Sequence, residues 1–133
     1  MKIFLDANVC LDLLDTTRKN SKNSVKYFLE NIENNFYFSG DFITTIYFIL
    51  TEKRKIDKQK VIKSIDLLCN EIEPIYINHN DFMNAKNNFH KFNDFEDLII
   101  LYSAVRKNID YFVTNDKLLL KLKNFNNIKI INP

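Results

Sequence analysis

Several carboxylates in this chain stand directly after short apolar runs, at the positions where strands would end. Asp6 follows KIFL, Asp116 comes just past YFVT, and Asp94, Glu96 and Asp97 lie together in NDFEDL. If the apolar runs are parallel strands, their carboxyl ends share one edge of a sheet, and acids placed there converge. Carboxylate oxygens are the ligands that hard divalent cations prefer. The spacing therefore predicts an oxygen-lined metal site.

The ligand types favour Mg²⁺ or Mn²⁺ over a softer metal. Cys10 and Cys69 form no CxxC pattern, and His79 and His90 do not have the HExxH spacing. A hard cation held by carboxylates can orient a water molecule, lower its pKa and stabilise charge on a phosphoryl oxygen. Hydrolysis of a phosphodiester requires these three effects, and it needs no nucleophilic Ser or Cys.

Each acid taken alone is better explained as a helix cap. Asp94 precedes Asp97 by three residues, the spacing of an N-cap followed by an acid in the first turn, and Asp116 can cap the helix that LLLKL forms. Capping needs one acceptor per helix, yet Asp6 lies two residues before the predicted cap Asn8, and Asp97 adds an acid beyond Asp94. Carboxylates so close repel one another unless a cation neutralises them. The conjunction of acids, and no single one of them, predicts the site.

Short apolar runs alternate along the chain with longer segments of helical period, which is the pattern of βαβ units. Strands are predicted at 2–5, 36–38, 75–77, 111–114 and 128–131. Helices are predicted at 8–14, around 25–32, and at 42–55, 58–71, 78–89, 94–107 and from 116. The β-branched residues of FITTIYFIL leave a strand as the competing prediction for part of the third helix. The pattern predicts one domain over residues 1–133, a three-layer α/β/α sandwich with a short parallel sheet.

Two of the helices carry further predictions. The helix around 25–32 is predicted to bury one face, formed by Val25, Phe28, Leu29 and Ile32. The helix at 58–71 is amphipathic, and Pro74 is predicted to stop the helical segment ahead of the strand at 75–77.

Composition limits the class of protein. The chain has 133 residues, of which 46% are hydrophobic and 27% charged, so it can bury a core and is neither disordered nor fibrous. Nineteen Lys and Arg oppose seventeen Asp and Glu, for a net charge of +2, so any contact with a polyanion must be local. The cysteine usage favours a reducing cytoplasm, and we expect no secretory signal and no membrane span.

Four segments resemble the PIN domain family, the metal-dependent ribonuclease fold found in VapC-type toxins. They are FLDANVCLDLL, SGDFITTIYFIL, DFEDLIILYSAV and YFVTND, which occur in family order with similar spacings and together extend the resemblance over the whole chain. The resemblance implies an endoribonuclease that depends on Mg²⁺ or Mn²⁺, the toxin half of a toxin and antitoxin pair. Its implied partners are RNA and an antitoxin protein, and the family commonly forms homodimers.

The resemblance also implies roles for the acids. Matched to the family motif, Asp6, Asp97 and Asp116 are expected to hold the metal and to be catalytic. Glu96 and Asp94 match extra acids in one branch of the family. We expect Asp94 to serve as a further metal ligand and Glu96 to take part in catalysis.

Two polar residues are expected to support the acids. Asn8 resembles the residue that holds the first Asp by a hydrogen bond. The family often has a Glu in its middle helix, and Thr45 stands at that position here. Because Thr offers a hydroxyl and no charge, the site is expected to bind metal with fewer acids, to recruit Glu96 or to be weaker in catalysis.

Candidate RNA contacts form two basic clusters, one near the first motif and one after the middle helix: Arg18, Lys19 and Lys22, and Lys53, Arg54 and Lys55. If these residues contact phosphates, the affinity for RNA should fall as the salt concentration rises. The alternative for either cluster is a charged face that contacts only solvent. The middle helix has more apolar residues than one buried face needs, which is compatible with a homodimer surface, and ordinary core packing is the alternative for about half of them. These residues are Phe42, Ile43, Ile46, Tyr47, Phe48 and Ile49.

Two functions of other classes are compatible with the sequence. One is a PIN module that binds RNA or a protein partner with little or no catalysis, an alternative that the absence of an acid at Thr45 favours. The other is a phosphoryl-transfer fold of receiver or haloacid-dehalogenase type, since these folds also begin with a strand that ends in Asp. The dehalogenase motif has a second Asp where Asn8 stands, and a receiver has an Asp at the end of its third strand, where this chain has Asn78 and His79.

Overall fold

A computed structural model describes residues 1–133 and builds them around one six-stranded sheet. The strands are β1 (Lys2–Leu5), β2 (Asn35–Ser39), β3 (Glu73–Ile75), β4 (Tyr111–Val113), β5 (Asn124–Phe125) and β6 (Ile128–Ile131). They lie in the order β3-β2-β1-β4-β6-β5, and every neighbouring pair is parallel except β5 with β6. The chain winds to one side of β1 and then to the other. This reversal places a crevice at the carboxyl ends of β1 and β4.

Seven α-helices cover the two faces of the sheet. They are α1 (Ala7–Leu14), α2 (Ser21–Glu30), α3 (Phe42–Phe48), α4 (Lys58–Glu71), α5 (His79–Asn87), α6 (Phe95–Arg106) and α7 (Lys117–Leu122). α3 continues into a π-helical turn, Ile49–Lys53, and a 3₁₀ turn, Phe89–Lys91, follows α5. The predicted three-layer α/β/α architecture is confirmed. None of the helices has both the length and the apolar character needed to span a membrane.

The alternation of side chains along the strands builds a hydrophobic core on each face. Ile3 and Leu5 lie in the core beneath α1, α3 and α4, whereas Phe4 lies in the core beneath α5, α6 and α7. Phe4 stacks on Phe112 of β4 with ring centroids 4.9 Å apart. Because β1 is covered on both faces and paired on both edges, the residue that follows it, Asp6, has a fixed position.

Most predicted elements occur close to their predicted bounds. The helix at 58–71 and the strand at 128–131 match α4 and β6, and FITTIYFIL is helical. Pro74 differs from its prediction, because it lies inside β3 and does not precede the strand. β3 tolerates a residue without a backbone N–H because it forms one edge of the sheet.

The predicted inner face of α2 is wrong in part. Leu29 and Ile32 are exposed, and the buried residues of α2 are Ser21 and Ser24. The cause is a buried carboxylate on α1: Ser24 Oγ donates to Asp12 Oδ2 at 2.8 Å, and Ser21 Oγ donates to the Asp12 carbonyl at 2.7 Å. A buried charge needs donors, so α2 presents its hydroxyls to α1.

The apolar surplus of the middle helix is smaller than the sequence indicates. Ile46 is fully buried, and four of the other five residues pack against the core beneath α1, α3 and α4 as partly buried side chains: Phe42, Ile43, Tyr47 and Ile49. Phe48 is the exception, with 53% of its surface exposed. Core packing therefore explains most of the surplus.

Candidate functional site

Asp6 stands where β1 passes directly into α1. Its Oδ1 accepts a hydrogen bond from the backbone N–H of Ala7 at 2.8 Å. Its Oδ2 accepts hydrogen bonds from Asn8 Nδ2 at 2.8 Å and from Thr114 Oγ1 at 2.7 Å. Asp6 is therefore the N-cap of α1, and the prediction that Asn8 caps this helix is wrong. The backbone N–H of Asp6 donates to the Val113 carbonyl, which extends the pairing with β4 up to the cap.

Asn8 joins the first acid to the loop that carries the last one. Besides its bond to Asp6, Asn8 Nδ2 donates to Thr114 Oγ1 at 3.3 Å, and Asn8 Oδ1 accepts from the backbone N–H of Asn115 at 3.0 Å. Asn115 Nδ2 in turn donates to Asp12 Oδ2 at 2.9 Å. The hydrogen bond from Asn8 to Asp6 is the one expected of a supporting residue.

Thr114 is a residue of this site that the sequence analysis missed. It is fully buried at the end of β4, where its hydroxyl donates to Asp6 and accepts from the backbone N–H of Asp116 at 2.9 Å. One hydroxyl therefore fixes two of the acids relative to each other. Its only mark in the sequence is its position at the end of an apolar run, two residues before an acid, which does not by itself indicate a role.

Asp116 and Asp94 are helix caps, as the simpler interpretation of each predicts. Asp116 Oδ1 accepts from the backbone N–H groups of Leu118 and Leu119 at the start of α7. Asp94 Oδ1 accepts from the backbone N–H of Asp97 at the start of α6. Both caps use Oδ1, and a carboxylate offers about four lone-pair sites, so capping leaves capacity for a cation.

Asp97 is the acid whose negative charge is least compensated by hydrogen bonds. It lies in the first turn of α6, and its pKa is raised from 3.8 to about 7, first by burial and then by the charges of Asp94, Asp6, Asp116 and Glu96, in that order. No hydrogen bond acts in the opposite direction. Asp97 therefore lies within electrostatic range of every other acid that the sequence analysis singled out.

Asp6 also carries an unfavourable charge. Burial raises its pKa above the ordinary value, and the charge of Asp116 adds to this increase. The hydrogen bonds from Thr114, Ala7 and Asn8 act in the opposite direction without cancelling it. Burial and the charges of neighbouring acids together make the ionised forms of Asp6 and Asp97 unfavourable, and a bound cation would relieve both effects.

The acids form an open cluster at the sheet edge. No three His, Cys, Asp or Glu side chains lie close enough together to surround an ion in their present rotamers. Asp94 and Glu96 are exposed at the rim, whereas Asp97 and Asp116 are half-buried. The donors are all oxygens and so fit Mg²⁺ or Mn²⁺.

Thr45 lies outside the hydrogen-bond network of the acids. It is exposed on α3, and the hydrogen bonds to the carboxylate of Asp6 come from Ala7, Asn8 and Thr114. No hydrogen bond in this structure therefore supports the role predicted for Thr45.

The six predicted RNA contacts divide into two kinds. The two arginines are held by buried carboxylates: Arg18 Nε lies 2.8 Å from Asp12 Oδ1, and Arg54 Nε lies 2.9 Å from Asp15 Oδ2. These ion pairs fasten the loop between α1 and α2. The four lysines are exposed and belong to no ion pair, and they are Lys19, Lys22, Lys53 and Lys55.

Replacing Thr114 with valine is expected to destabilise the protein by about 1–3 kcal/mol, because the buried carboxylate of Asp6 loses a donor and the Asp116 N–H loses its acceptor. It is also expected to weaken Mn²⁺ binding by about 10–100-fold, the usual effect of removing a group that orients a metal ligand. Urea denaturation and calorimetric titration measure the two effects.

Thr51→Val is the matched control, since Thr51 is also buried and its hydroxyl donates only to the Tyr47 carbonyl one helical turn back. It should leave Mn²⁺ affinity unchanged. If Thr114→Val binds Mn²⁺ as tightly as the unmodified protein does, Thr114 has no part in a metal site.

Sequence comparison gives two matches. The family model described as PIN domain matches residues 3–124. A curated relative, "Ribonuclease VapC1" of Aquifex aeolicus (strain VF5), is 32% identical over 121 residues, covering 87% of this chain and 82% of the relative.

Solved structures of similar fold agree with these matches. VapC20 of Mycobacterium tuberculosis, described as a Sarcin-Ricin loop cleaving toxin, superposes with a TM-score of 0.72 at 11% identity, covering 96% of this chain and 98% of that chain. VapBC2 of Rickettsia felis, bound to a promoter DNA fragment, gives a TM-score of 0.68 at 16% identity, covering 99% and 98%. At these identities the likeness shows the fold, and the receiver and dehalogenase alternatives are set aside. The chain belongs to the PIN domain family.

Proposed function

We propose that this protein is an endoribonuclease that uses Mg²⁺ or Mn²⁺ to hydrolyse phosphodiester bonds of RNA. The main support for this proposal is the gathering of four acids around Asp97, because burial and then the charges of these acids raise its pKa to about 7. A sheet edge with this excess of negative charge attracts a divalent cation. A curated relative of this chain, 32% identical, is named a ribonuclease.

We infer that Asp6, Asp97 and Asp116 hold the ion, with Asp94 as a further ligand and Glu96 as the group that orients the attacking water. The ion, when bound, would supply a water of lowered pKa and stabilise charge on the phosphoryl oxygen. The protein's own part is to hold the acids in place, and a bound ion would favour the deprotonated form of Asp97, whose pKa is otherwise raised to about 7.

The network behind the acids supplies the positioning. Asn8 and Thr114 both donate to Oδ2 of Asp6, so they hold the carboxylate in one orientation. Thr114 couples that carboxylate to the backbone of Asp116. Since Thr45 brings no charge, we propose that Glu96, within electrostatic range of Asp97, supplies the missing one.

We propose that the protein is the toxin of a toxin and antitoxin pair. Two of the solved structures of this fold are VapBC complexes with DNA. An open apolar cleft between α1, α2 and α4 would suit an antitoxin helix, and its lining includes Leu14, Val25, Phe28, Leu67 and Leu68. Apolar grooves of this kind receive amphipathic helices in many complexes.

We also propose a homodimer and a cytoplasmic setting. Phe48 on α3 and Ile62 on α4 are about half exposed, and they give a dimer an apolar contact that sedimentation analysis can test. The two free thiols, Cys10 and Cys69, suit a reducing compartment.

Cleavage of RNA under metal control tests the proposed activity. Incubation with single-stranded and hairpin RNAs should yield internal cuts in Mn²⁺ or Mg²⁺, no cuts in EDTA, and cuts again when metal is restored in excess. Because water is the nucleophile, a substrate that lacks only the 2′-hydroxyl at the cleaved position should still be cut.

The second candidate is a PIN module that binds RNA or a protein without cutting RNA, and the uncharged Thr45 favours it. RNA binding without cleavage in any metal, together with no heat of Mn²⁺ binding in calorimetry, would establish this alternative and overturn the proposed nuclease.

A further inference from the structure

An exposed aromatic cluster borders the acidic edge of the sheet. Phe82 of α5 and Phe89 of the 3₁₀ turn pack edge to face with Phe95 of α6, with ring centroids 6.0 and 5.5 Å apart. Phe95 packs on the core beneath α5, α6 and α7, whereas Phe82 and Phe89 remain 39% and 48% exposed. Exposing a phenylalanine ring to water is unfavourable. Two exposed rings that pack against a third ring therefore indicate a contact surface.

The cluster adjoins the proposed metal site through the chain itself. Phe95, which both outer rings contact, is the residue between Asp94 and Glu96. Consecutive Cα atoms are about 3.8 Å apart, so the cluster meets Asp94 and Glu96 at the start of α6. A strand cut at the acids would therefore have these rings within reach.

The basic residues around the rings suit a polyanion. Lys86 lies one helical turn after Phe82 and thus on the same face of α5, and His90 and Lys91 directly follow Phe89. All three are exposed, and the two lysines form no ion pair.

Nothing on α5 offsets this charge. The acid of the helix, Asp81, is buried and paired with Arg106, with Nη2 and Oδ2 2.9 Å apart. The His79 ring extends the cluster, with its centroid 6.1 Å from that of Phe82. The result is a set of rings interleaved with basic groups, which is the composition of surfaces that bind single-stranded nucleic acid.

We propose that Phe82 and Phe89 form a base-stacking platform that receives single-stranded RNA beside the acidic edge, with Lys86 and Lys91 contacting its phosphates. This inference rests on the proposed nuclease function, because the strand that stacks here is the one cut at the acids. Unpaired bases present flat faces to aromatic side chains, whereas a duplex hides them. The platform therefore selects single-stranded segments of the substrate.

Binding of two labelled dodecamers in EDTA tests the platform without cleavage: one of adenosine nucleotides and one of abasic ribose phosphates with the same charge. Phe82→Ala and Phe89→Ala should each weaken binding of the adenosine dodecamer by about fivefold or more. Neither should change binding of the abasic dodecamer. Phe82→Tyr keeps the ring and should keep the affinity, and Leu29→Ala, an exposed apolar position on α2, is the matched control.

The salt dependence of binding tests the two lysines separately. Lys86→Gln and Lys91→Gln should each lower the slope of log affinity against log salt by about 0.7, for both dodecamers. Unchanged slopes would remove the lysines from the platform.

Three results would overturn the stacking proposal: unchanged affinity of both alanine variants for the adenosine dodecamer, an equal loss for the abasic dodecamer, or a change of oligomeric state that accounts for the loss. The last result would mean that the face binds a second copy of the chain. Failure of the nuclease proposal is separate from these, because it shows as no cleavage of any RNA by the unmodified protein in Mn²⁺.

Discussion

Asp6→Asn is expected to abolish metal-dependent RNA cleavage, with a fall in rate of about 1,000-fold or more, because the ion loses a charged ligand that supplies several kcal/mol to the transition state. The protein should stay folded. Asn keeps an oxygen for the N–H of Ala7, and removing a buried charge offsets the altered bonds to Thr114 and Asn8. Initial rates on one RNA in Mn²⁺, with circular dichroism of both proteins, measure the two effects.

Asp41→Asn is the matched control for this substitution. Asp41 lies at the same edge of the sheet, after β2, but its Oδ2 accepts from Ser39 Oγ and from the Ile77 N–H. The acids that raise the pKa of Asp97 are Asp94, Asp6, Asp116 and Glu96, and Asp41 is not among them. Cleavage should therefore survive in this variant, and undiminished cleavage by Asp6→Asn would refute the role given to Asp6.

Asp97→Asn is expected to remove cleavage and yet to raise the stability of the metal-free protein at pH 8. The folded pKa of Asp97 is about 7, above the ordinary 3.8, so the native state binds this proton more tightly than the unfolded chain does. The contribution of Asp97 to the free energy of unfolding is therefore complete below about pH 4, and it is lost as the pH rises through about 7. Because the carboxylate is half-exposed, solvent screening reduces the gain at pH 8 to about 1 kcal/mol.

Urea denaturation in EDTA at pH 5 and pH 8 measures this effect. The difference between the two pH values should be smaller in Asp97→Asn than in the unmodified protein. Mn²⁺ at pH 8 should stabilise the unmodified protein and leave the variant unchanged, since binding to the folded state adds RT ln(1 + [L]/Kd). A variant less stable than the unmodified protein at pH 8 would show that Asp97 has a structural role and carries no unrelieved charge.

The strand and helix pattern was predictable where local signals agree. Asp57 and Asp94 are cap residues directly before amphipathic segments, and both cap the helices that follow, α4 and α6. β1 is a fully apolar run that stops at a charge, as a buried parallel strand does.

Elements fixed by distant partners were not predictable. The cap of α1 falls on Asp6 because β1 continues its pairing with β4 up to Val113, which leaves no gap for a cap at Asn8. β5 has two residues, Asn124–Phe125, which pair only because positive φ angles at Lys123 and Asn126 turn the chain onto β6.

The residues of the candidate site likewise divide into those that could be predicted from the sequence and those that could not. Its acids could be predicted because like charges gathered at strand ends repel one another unless a cation joins them. Thr114 could not, because a neutral hydroxyl at the end of a strand gains meaning only when Asp6 and Asp116 are seen on either side of it. Likewise, the carboxylates that hold Arg18 and Arg54 become their neighbours only in the fold.

A crystal structure of the protein soaked in Mn²⁺, with anomalous scattering recorded for the metal, tests the central claim most directly. We expect one anomalous peak at the carboxyl ends of β1 and β4, in contact with carboxylate oxygens of Asp6, Asp97 and Asp116, and no such peak in crystals of Asp6→Asn. A soaked crystal with no metal at this edge, or a peak that persists unchanged in the variant, would contradict the claim that these acids share a metal ion.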